Sequence, residues 1–227
     1  YYGFVVLLAV TTTLEIDHQL PESLKFLHGG VYQGFSFAGD LAGVAFTAGM
    51  GWAIIRRYIQ RPYRIRIKTR PEHALILGVL FGLGISGFLA ESFRIALEGR
   101  PTYEQWSFIG YPLSAAFTGI ESLAGWHQIM WVSHVVLFMM FLIMLPITML
   151  RHMFTSPLNM YLKDRDRPKG AMRALPDLME AEDIETIGAS VIEDFTWKQL
   201  LDTDSCTMCG RCTDVCPAHA TGKPLDP

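Results

Sequence analysis

The chain has 227 residues, of which 50% are hydrophobic and 18% are charged, and its mean hydropathy is +0.25. A soluble domain of this size carries about 25% charged residues, so the composition favours a membrane protein. The formal net charge of −3 argues against a nucleic-acid-binding surface, which requires an excess of basic residues. Nearly all the long apolar runs precede Arg151. The sequence therefore predicts an all-α membrane helix bundle followed by a small domain outside the bilayer.

Four apolar segments are predicted to form the transmembrane bundle, over residues 1–152. The first, at about 1–14, is shorter than the roughly 20 residues that cross a bilayer. We expect it to be a spanning helix truncated at its start, and we interpret the chain as a fragment at both ends. The other three segments reach a spanning length, which makes buried helices of a soluble protein the weaker alternative. These three lie at about 35–58, 73–97 and 126–150.

Basic residues cluster between the second and third predicted helices and again after the fourth. By the positive-inside rule, both clusters are expected on the cytoplasmic face of the membrane. Four successive crossings are consistent with this orientation. A polar connector over residues 153–200 and the segment 201–227 are therefore predicted to be cytoplasmic.

All four cysteines lie in one short run, Cys206-Thr-Met-Cys209-Gly-Arg-Cys212-Thr-Asp-Val-Cys216-Pro217. The spacing C-x2-C-x2-C-x3-C-P is typical of bacterial [4Fe–4S] ferredoxins. Structural zinc, the alternative, usually takes two C-x2-C pairs separated by a longer loop. A disulfide framework would scatter its cysteines along the chain, so their clustering favours a metal site in a reducing compartment. We therefore predict that a ferredoxin-like iron–sulfur domain begins in this C-terminal segment.

The role of Cys216 has two interpretations. In two-cluster ferredoxins, the fourth cysteine of this motif ligates the other cluster. Cys216 then either completes one cluster with the three preceding cysteines or belongs to a second cluster whose remaining cysteines lie beyond Pro227. The sequence leaves both open.

Histidines in the apolar segments are candidate haem ligands, because coordinating side chains at membrane depth are costly and usually functional. His134 and His152 are 18 positions apart, which is five turns, or about 27 Å, along a continuous helix. This spacing predicts one haem near each side of the membrane, with His73 as the candidate partner of His152. A hydrated histidine at a helix end is the alternative for His152. His18 and His28 are predicted to lie solvated in the loop after the first helix.

Glu91 and Arg94 lie one turn apart near the end of the third predicted helix. They could form an intramembrane pair, with Glu91 as the proton acceptor of a quinone site and Arg94 as its positioning cation. The alternative is an interfacial pair, whose charged ends extend to the membrane surface.

Several motifs together resemble those of the membrane-bound heterodisulfide-reductase-related (Fe–S)-binding reductases. This family fuses a bundle similar to the gamma subunit of respiratory nitrate reductase to a two-cluster ferredoxin domain and cysteine-rich CCG domains. The resemblance covers essentially the whole chain. The residues that carry it are Ser86-Gly87-Phe88, Glu91, Arg94-Ile95-Ala96, Trp131, His134, Pro146, His152, Asp202, the cysteine motif with Pro217, and Gly222-Lys223-Pro224-Leu225.

The resemblance implies two b haems ligated from the last helix, and His134 and His152 match the ligand spacing of that family. The partner ligands of the family are ten residues apart on an earlier helix. His18 and His28 have this spacing, but their predicted place in a loop keeps us from giving them the role. One or two haems b and two [4Fe–4S] clusters in the full-length protein are expected.

The function implied by the resemblance is that of an oxidoreductase carrying electrons between the quinone pool, here menaquinone, and a cytoplasmic partner. That partner is an electron-transfer flavoprotein or a thiol–disulfide protein. A haem-free membrane anchor for an iron–sulfur domain is the main alternative, and a transporter or sensor with a regulatory cluster is another.

Overall fold

The structure, a computed structural model, describes residues 2–21, 23–166 and 191–223. All regular structure in these ranges is helical, which confirms the all-α prediction. Part of the predicted connector, residues 167–190, and the last four residues of the chain lie outside the described residues. The chain divides into two units, Tyr1–Met144 and Leu145–Pro227. The predicted domain limits at residues 152 and 200 stay predictions.

The first unit contains four long helices and two short ones. They are α1 (Tyr2–Gln19), α2 (Gly30–Ile54), α3 (Tyr63–Ile67), α4 (Pro71–Leu97), α5 (Gly110–Ser114) and α6 (Leu123–Ile147), whose last turn runs into the second unit. A π-helical segment, Ile55–Gln60, continues α2, and 3-10 turns lie at Thr102–Trp106 and Ala115–Phe117. The second unit contains a 3-10 turn at Met149–Arg151, then α7 (His152–Tyr161), a turn at Ile192–Asp194, α8 (Trp197–Asp204), α9 (Arg211–Val215) and α10 (Pro217–Ala220).

Within the residues that the structure describes, three helical stretches are long and apolar enough to cross a membrane: Gly30–Gln60, Pro71–Leu97 and Leu123–Ile147. Each overlaps one of the three predicted spans at 35–58, 73–97 and 126–150. The agreement follows from composition, because each stretch combines more than 20 helical residues with a largely uncharged sequence.

Helix α1 is longer than predicted and contains His18, so the prediction that this residue lies in a loop was wrong. Polar side chains extend the helix through local hydrogen bonds, since Gln19 donates to Glu15 one turn earlier at 2.8 Å. Asp17 then accepts from the backbone N–H groups of Phe26 and Leu27, at 2.8 and 3.1 Å, which turns the chain away from the helix end.

Small residues let the helices of the first unit pack closely. A Cβ added to Gly3 of α1 would lie 2.9 Å from both the carbonyl oxygen of Ala42 and the amide nitrogen of Phe46 in α2. On α4, a Cβ at Gly84 would overlap the side chain of Thr47 in α2. Close backbone approach at small residues is the usual way in which helices associate in lipid.

Helix α6 ends before His152, so the predicted continuous helix carrying both His134 and His152 was wrong. Thr148 has an extended backbone, with φ −109° and ψ −178°, and its side-chain oxygen accepts from the amide of Leu150. A proline inside the preceding turn, Pro146, removes one helical hydrogen bond and crowds the turn before it. Five continuous turns therefore do not connect the two histidines, which lie in different helices.

Candidate functional site

The segment that carries the cysteines is anchored by helix α8, which docks on α7 within the second unit. The Ser205 hydroxyl donates to the carbonyl oxygen of Thr155 at 3.1 Å, and the Ser156 hydroxyl donates to that of Ser205 at 3.0 Å. Thr155 also donates to the carbonyl oxygen of Asp204, at 3.4 Å. These reciprocal contacts fix the backbone immediately before Cys206.

The loop after α8 curves through two residues with left-handed backbone conformation, Met208 (φ 49°) and Gly210 (φ 72°). This curvature directs the amide N–H of Met208 toward the sulfur of Cys206, 3.3 Å away. An N–H donor stabilises a thiolate and tunes the potential of a cluster bound to it. The loop is therefore arranged for a negatively charged sulfur ligand.

The four thiols differ in exposure and position. Cys206, Cys209 and Cys212 are exposed and Cys216 is half-buried. Cys212 lies in α9, and Cys216 directly precedes Pro217, the first residue of α10. Among the described residues, no three His, Cys, Asp or Glu side chains converge closely enough to hold a metal ion. Four thiols in the C-x2-C-x2-C-x3-C-P spacing, one already facing an amide, nevertheless form a donor set that fits iron–sulfur ligation.

His134 lies half-buried on α6, with its ring against α4 of the same unit. Its Nδ1 atom is 2.9 Å from the hydroxyl of Ser86. The ring also lies beside the neighbouring residue, Gly87, where an added Cβ would be 3.4 Å from Cε1 of His134, in ordinary van der Waals contact. Its Nε2 atom makes none of the hydrogen bonds found in the described residues, so this nitrogen fits the role of a metal ligand.

His73 sits at the start of α4 and is only 4% exposed. Its Nδ1 atom lies 3.1 Å from the backbone nitrogen of Arg70 and 3.2 Å from its carbonyl oxygen. Its Nε2 atom is buried without a hydrogen-bond partner in the described part of the chain. A buried ring nitrogen without a hydrogen-bond partner is costly, and such an atom fits the role of a metal ligand.

The other histidines are placed as follows. His152, the first residue of α7, is half-buried, and its Nδ1 atom contacts the carbonyl oxygen of Met149. His28 lies outside the helices with Nε2 at 2.9 Å from the carbonyl oxygen of Lys25. Pairing of His73 with His152 stays a prediction.

Glu91 and Arg94, predicted as a pair, belong to a larger buried network at one end of the first unit. The ion pairs of Arg94 run instead to Glu104, at 2.8 Å, and to Glu98, at 3.0 Å. The Tyr32 hydroxyl donates to the same Glu104 oxygen, also at 2.8 Å. The expected direct pair is thus replaced by a cluster that joins α2, α4 and the turn at Thr102–Trp106.

The Glu91 carboxyl faces Asp40 of α2 and the hydroxyl of Ser107. Asp40 is 2% exposed and accepts from the amides of Ile109 and Gly110, at 2.6 and 3.3 Å. A Cβ at Gly110 would lie 2.7 Å from the carboxyl carbon of Glu91, so both carboxyl groups meet at this glycine. Two carboxylates in contact and shielded from water repel each other, and a proton shared between them relieves this.

Sequence reasoning missed Asp40 and Glu104. Asp40 carried a usable signal, since it is a carboxylate inside a predicted span. Glu104 carried none, because it lies in a polar stretch between helices and is buried only by tertiary packing.

Comparison with known proteins identifies both parts of the chain. A family model described as nitrate reductase gamma subunit matches residues 2–167. A second, described as 4Fe-4S binding domain, matches residues 197–218. No solved structure matches the chain.

Three curated proteins show similarity. "EtfAB:quinone oxidoreductase" of Syntrophomonas wolfei is 32% identical over 237 residues, covering 100% of this chain and 32% of that protein. "Probable iron-sulfur-binding oxidoreductase FadF" of Bacillus subtilis is 29% identical over 228 residues, covering 100% of this chain and 32% of its own length. "Probable membrane-anchored ferredoxin" of Chromohalobacter salexigens is 56% identical over 41 residues, which are 18% of this chain and 6% of that protein.

The chain spans about a third of the length of the first two relatives. The gamma-subunit match covers the helices of the first unit, and the iron–sulfur match covers Cys206, Cys209, Cys212 and Cys216. The chain therefore belongs to the nitrate reductase gamma subunit family, in a form that continues into a [4Fe–4S] binding domain.

Proposed function

We propose that this chain is the membrane part of an oxidoreductase that carries electrons between a cytoplasmic redox protein and the quinone pool. The observation that carries the proposal is the order of the two matched domains, a gamma-subunit bundle over residues 2–167 followed by a [4Fe–4S] domain over 197–218. Such an order joins, in one chain, a domain that binds a one-electron carrier to a helix bundle of a membrane-protein family.

The cysteines Cys206, Cys209, Cys212 and Cys216 would hold a [4Fe–4S] cluster, with a second cluster in the full-length protein. A cluster supplies reversible one-electron transfer, and the protein sets its potential. The Met208 amide, directed at the sulfur of Cys206, contributes to that setting.

One or two haems b would continue the electron path, with His134 and His152 as ligands and His73 as a further candidate. The open Nε2 atom of His134 and the unsatisfied Nε2 atom of His73 support this assignment. A b haem supplies one-electron transfer within the bilayer, and axial histidines set its potential.

A quinone site is proposed around Glu91 and Arg94. Quinone reduction or quinol oxidation moves protons with electrons, so the site needs a carboxyl group that can exchange a proton. Glu91 fits this need, because its carboxyl group contacts that of Asp40. Arg94 is held by Glu98 and Glu104 and would position the quinone headgroup.

Partner, quinone and membrane orientation rest on the relatives and on charge. The printed name of the Syntrophomonas relative supports an electron-transfer flavoprotein and a quinone as partners, with menaquinone as the proposed quinone. The basic loops support a cytoplasmic iron–sulfur domain in a prokaryotic inner membrane. A heterodisulfide-reductase-related activity on thiols is the second form that the cytoplasmic reaction could take.

A haem-free membrane anchor is the competing function. The printed name of the Chromohalobacter relative, "Probable membrane-anchored ferredoxin", favours it, with 56% identity over 41 residues. In that function the helices would only hold the iron–sulfur domain at the membrane.

The two functions are separated by a reduced-minus-oxidised visible spectrum of the detergent-purified full-length protein, with a pyridine haemochrome assay. We expect a b-type α-band that weakens in His134→Ala and in His152→Ala. His127→Ala, on the same helix α6 as His134, is the matched control and should keep the band. Intact iron–sulfur absorption without haem would reject the haem path and leave the anchor.

A further inference from the structure

Ser86 makes two hydrogen bonds that together determine where its proton points. Its side-chain oxygen lies 3.2 Å from the carbonyl oxygen of Leu83 and 2.9 Å from Nδ1 of His134. A hydroxyl has one proton to donate, and a carbonyl oxygen can only accept. Both contacts are satisfied only when Ser86 donates to Leu83 and accepts from His134, whose ring also makes a hydrogen bond with the backbone of Leu83.

This assignment fixes the tautomer of the His134 ring. If Ser86 accepts, the proton of the neutral imidazole lies on Nδ1, and the lone pair lies on Nε2. Histidines that bind metals usually donate their other ring N–H to a neighbouring acceptor in this way. Ser86 is well suited to the task because it is only 7% exposed, which keeps competing water away.

The His134 ring lies against α4 beside Gly87. A Cβ added at Gly87 would stand 3.4 Å from Cε1 and 3.8 Å from Nδ1 of His134, in ordinary van der Waals contact. The ring is therefore close enough to α4 for the Ser86 hydroxyl to reach it.

We propose that Ser86 is a positioning residue that holds His134 in the Nδ1–H tautomer and so presents the Nε2 lone pair to a haem iron. The proposal rests on the proposed haem function for its purpose, but the tautomer itself is a property of this chain. It adds to the candidate ligands a residue that touches no cofactor.

The first test reads the tautomer directly, in full-length protein labelled with ¹⁵N-histidine and purified without haem. The His134 resonances are identified by their loss in His134→Gln, and ring-nitrogen chemical shifts distinguish Nδ1–H from Nε2–H. We expect Nδ1–H in the wild type, a mixture in Ser86→Ala, and recovery in Ser86→Thr. Ser92→Ala is the matched control, because Ser92 is also buried on α4 and bonded to a backbone carbonyl, that of Phe88.

The second test reads the ligand in the haem-loaded protein. Loss of an outer-shell hydrogen bond typically lowers metal affinity or activity by about 10-fold to 100-fold. We expect Ser86→Ala to weaken haem retention by about tenfold and to shift the haem midpoint potential, while Ser92→Ala changes neither.

The outcomes are distinguishable. An unchanged His134 tautomer in Ser86→Ala, or a wild type in the Nε2–H form, would overturn the role of Ser86. A protein that binds no haem, but in which Ser86→Ala still alters the tautomer, would reject the proposed haem function and support the Ser86 assignment.

Discussion

Arg94 donates a 2.8 Å hydrogen bond to Glu104, whose side chain is completely buried. The same Glu104 oxygen accepts from Tyr32. The contact joins α4 to the turn that follows it, and Tyr32 ties both to α2. The end of the first unit is thus held by charge as well as by apolar packing.

Glu104→Gln should destabilise the first unit, because it leaves Arg94 without the charge of its buried partner. Breaking a fully buried ion pair costs roughly 3–5 kcal/mol. Since the Arg94 side chain is 35% exposed, we expect about 2 kcal/mol here, given solvent screening. Thermal unfolding in detergent measures the loss. Glu98→Gln, which removes the 39% exposed partner of the same arginine, should have a smaller effect, and equal effects would contradict this account.

Gly3→Ala should loosen the packing of α1 on α2. The new methyl group would meet backbone atoms of Ala42 and Phe46 at 2.9 Å, and backbone cannot move aside as a side chain can. Overpacking of this kind costs about 1–3 kcal/mol. Gly49→Ala on α2 is the control, since nothing lies within 4 Å of its added Cβ, and better helix propensity should stabilise it by up to about 1 kcal/mol. Denaturation of both variants measures the difference, and a stabilised Gly3→Ala would show that the approach is not tight.

If Glu91 belongs to the proposed quinone site, Gly110→Ala should impair quinone turnover more than it impairs folding. Its Cβ would stand 2.7 Å from the carboxyl carbon of Glu91 and 2.8 Å from Oε2, so the carboxyl must move from its place beside Asp40. We expect quinone-linked electron transfer to fall about tenfold or more, as when a group used in proton transfer is displaced. Stopped-flow haem reoxidation by quinone measures it. Gly125→Ala, where nothing lies within 4 Å, should retain the wild-type rate; a wild-type rate in Gly110→Ala would remove Glu91 from the site.

Cys206→Ala should abolish the [4Fe–4S] cluster while leaving the helices of the first unit folded. The thiol is the one that receives the Met208 N–H, and the cluster needs its thiolate. Iron and sulfide content and the EPR spectrum of the reduced protein report the loss. Thr207→Ala, at the next and exposed position of the loop, should retain the cluster. A full cluster in Cys206→Ala would place its ligands elsewhere.

Asp202→Asn should weaken the docking of α8 on α7. Hydrogen bonds from Lys198, and then from Asn159, hold the pKa of Asp202 below its ordinary value of 3.8. A depressed pKa means that ionised Asp202 stabilises the docked state above about pH 4, and that this contribution disappears as the pH falls through the lowered pKa. Hydrogen exchange of α8, corrected for intrinsic rates, should show less protection in Asp202→Asn at pH 7. The difference from wild type should shrink below pH 4; a constant difference would exclude ionisation as its cause.

The spans were predictable because a membrane helix can be recognised from its length and apolar composition, as Pro71–Leu97 can. Their ends were less so. At Glu15 the hydropathy stops favouring a membrane helix, yet the hydrogen bond from Gln19 continues the helix. At Thr148 the opposite happens, since apolar residues continue after the backbone has left the helix.

The candidate site likewise has a part that the sequence predicts and a part that depends on tertiary packing. The cysteine spacing carries its chemistry within eleven consecutive positions and needs no tertiary information. Predicting the ion-pair partners of Arg94 does need tertiary information. Glu91, Glu98 and Glu104 all lie near Arg94 in the sequence, and only packing selects among them. The Ser86 contact with His134 likewise joins residues that are distant in sequence.

The break at Thr148 assigns the two candidate haem ligands to different helices and to different units of the chain. His152 begins α7, α8 docks on α7 through Thr155 and Ser205, and Cys206 follows at once. His152 and Cys206 therefore lie in or next to the contacting helices α7 and α8. His134, in contrast, belongs to α6 and contacts α4. A partner protein that binds the iron–sulfur segment would therefore act on the candidate ligand His152 through the contacts between α7 and α8.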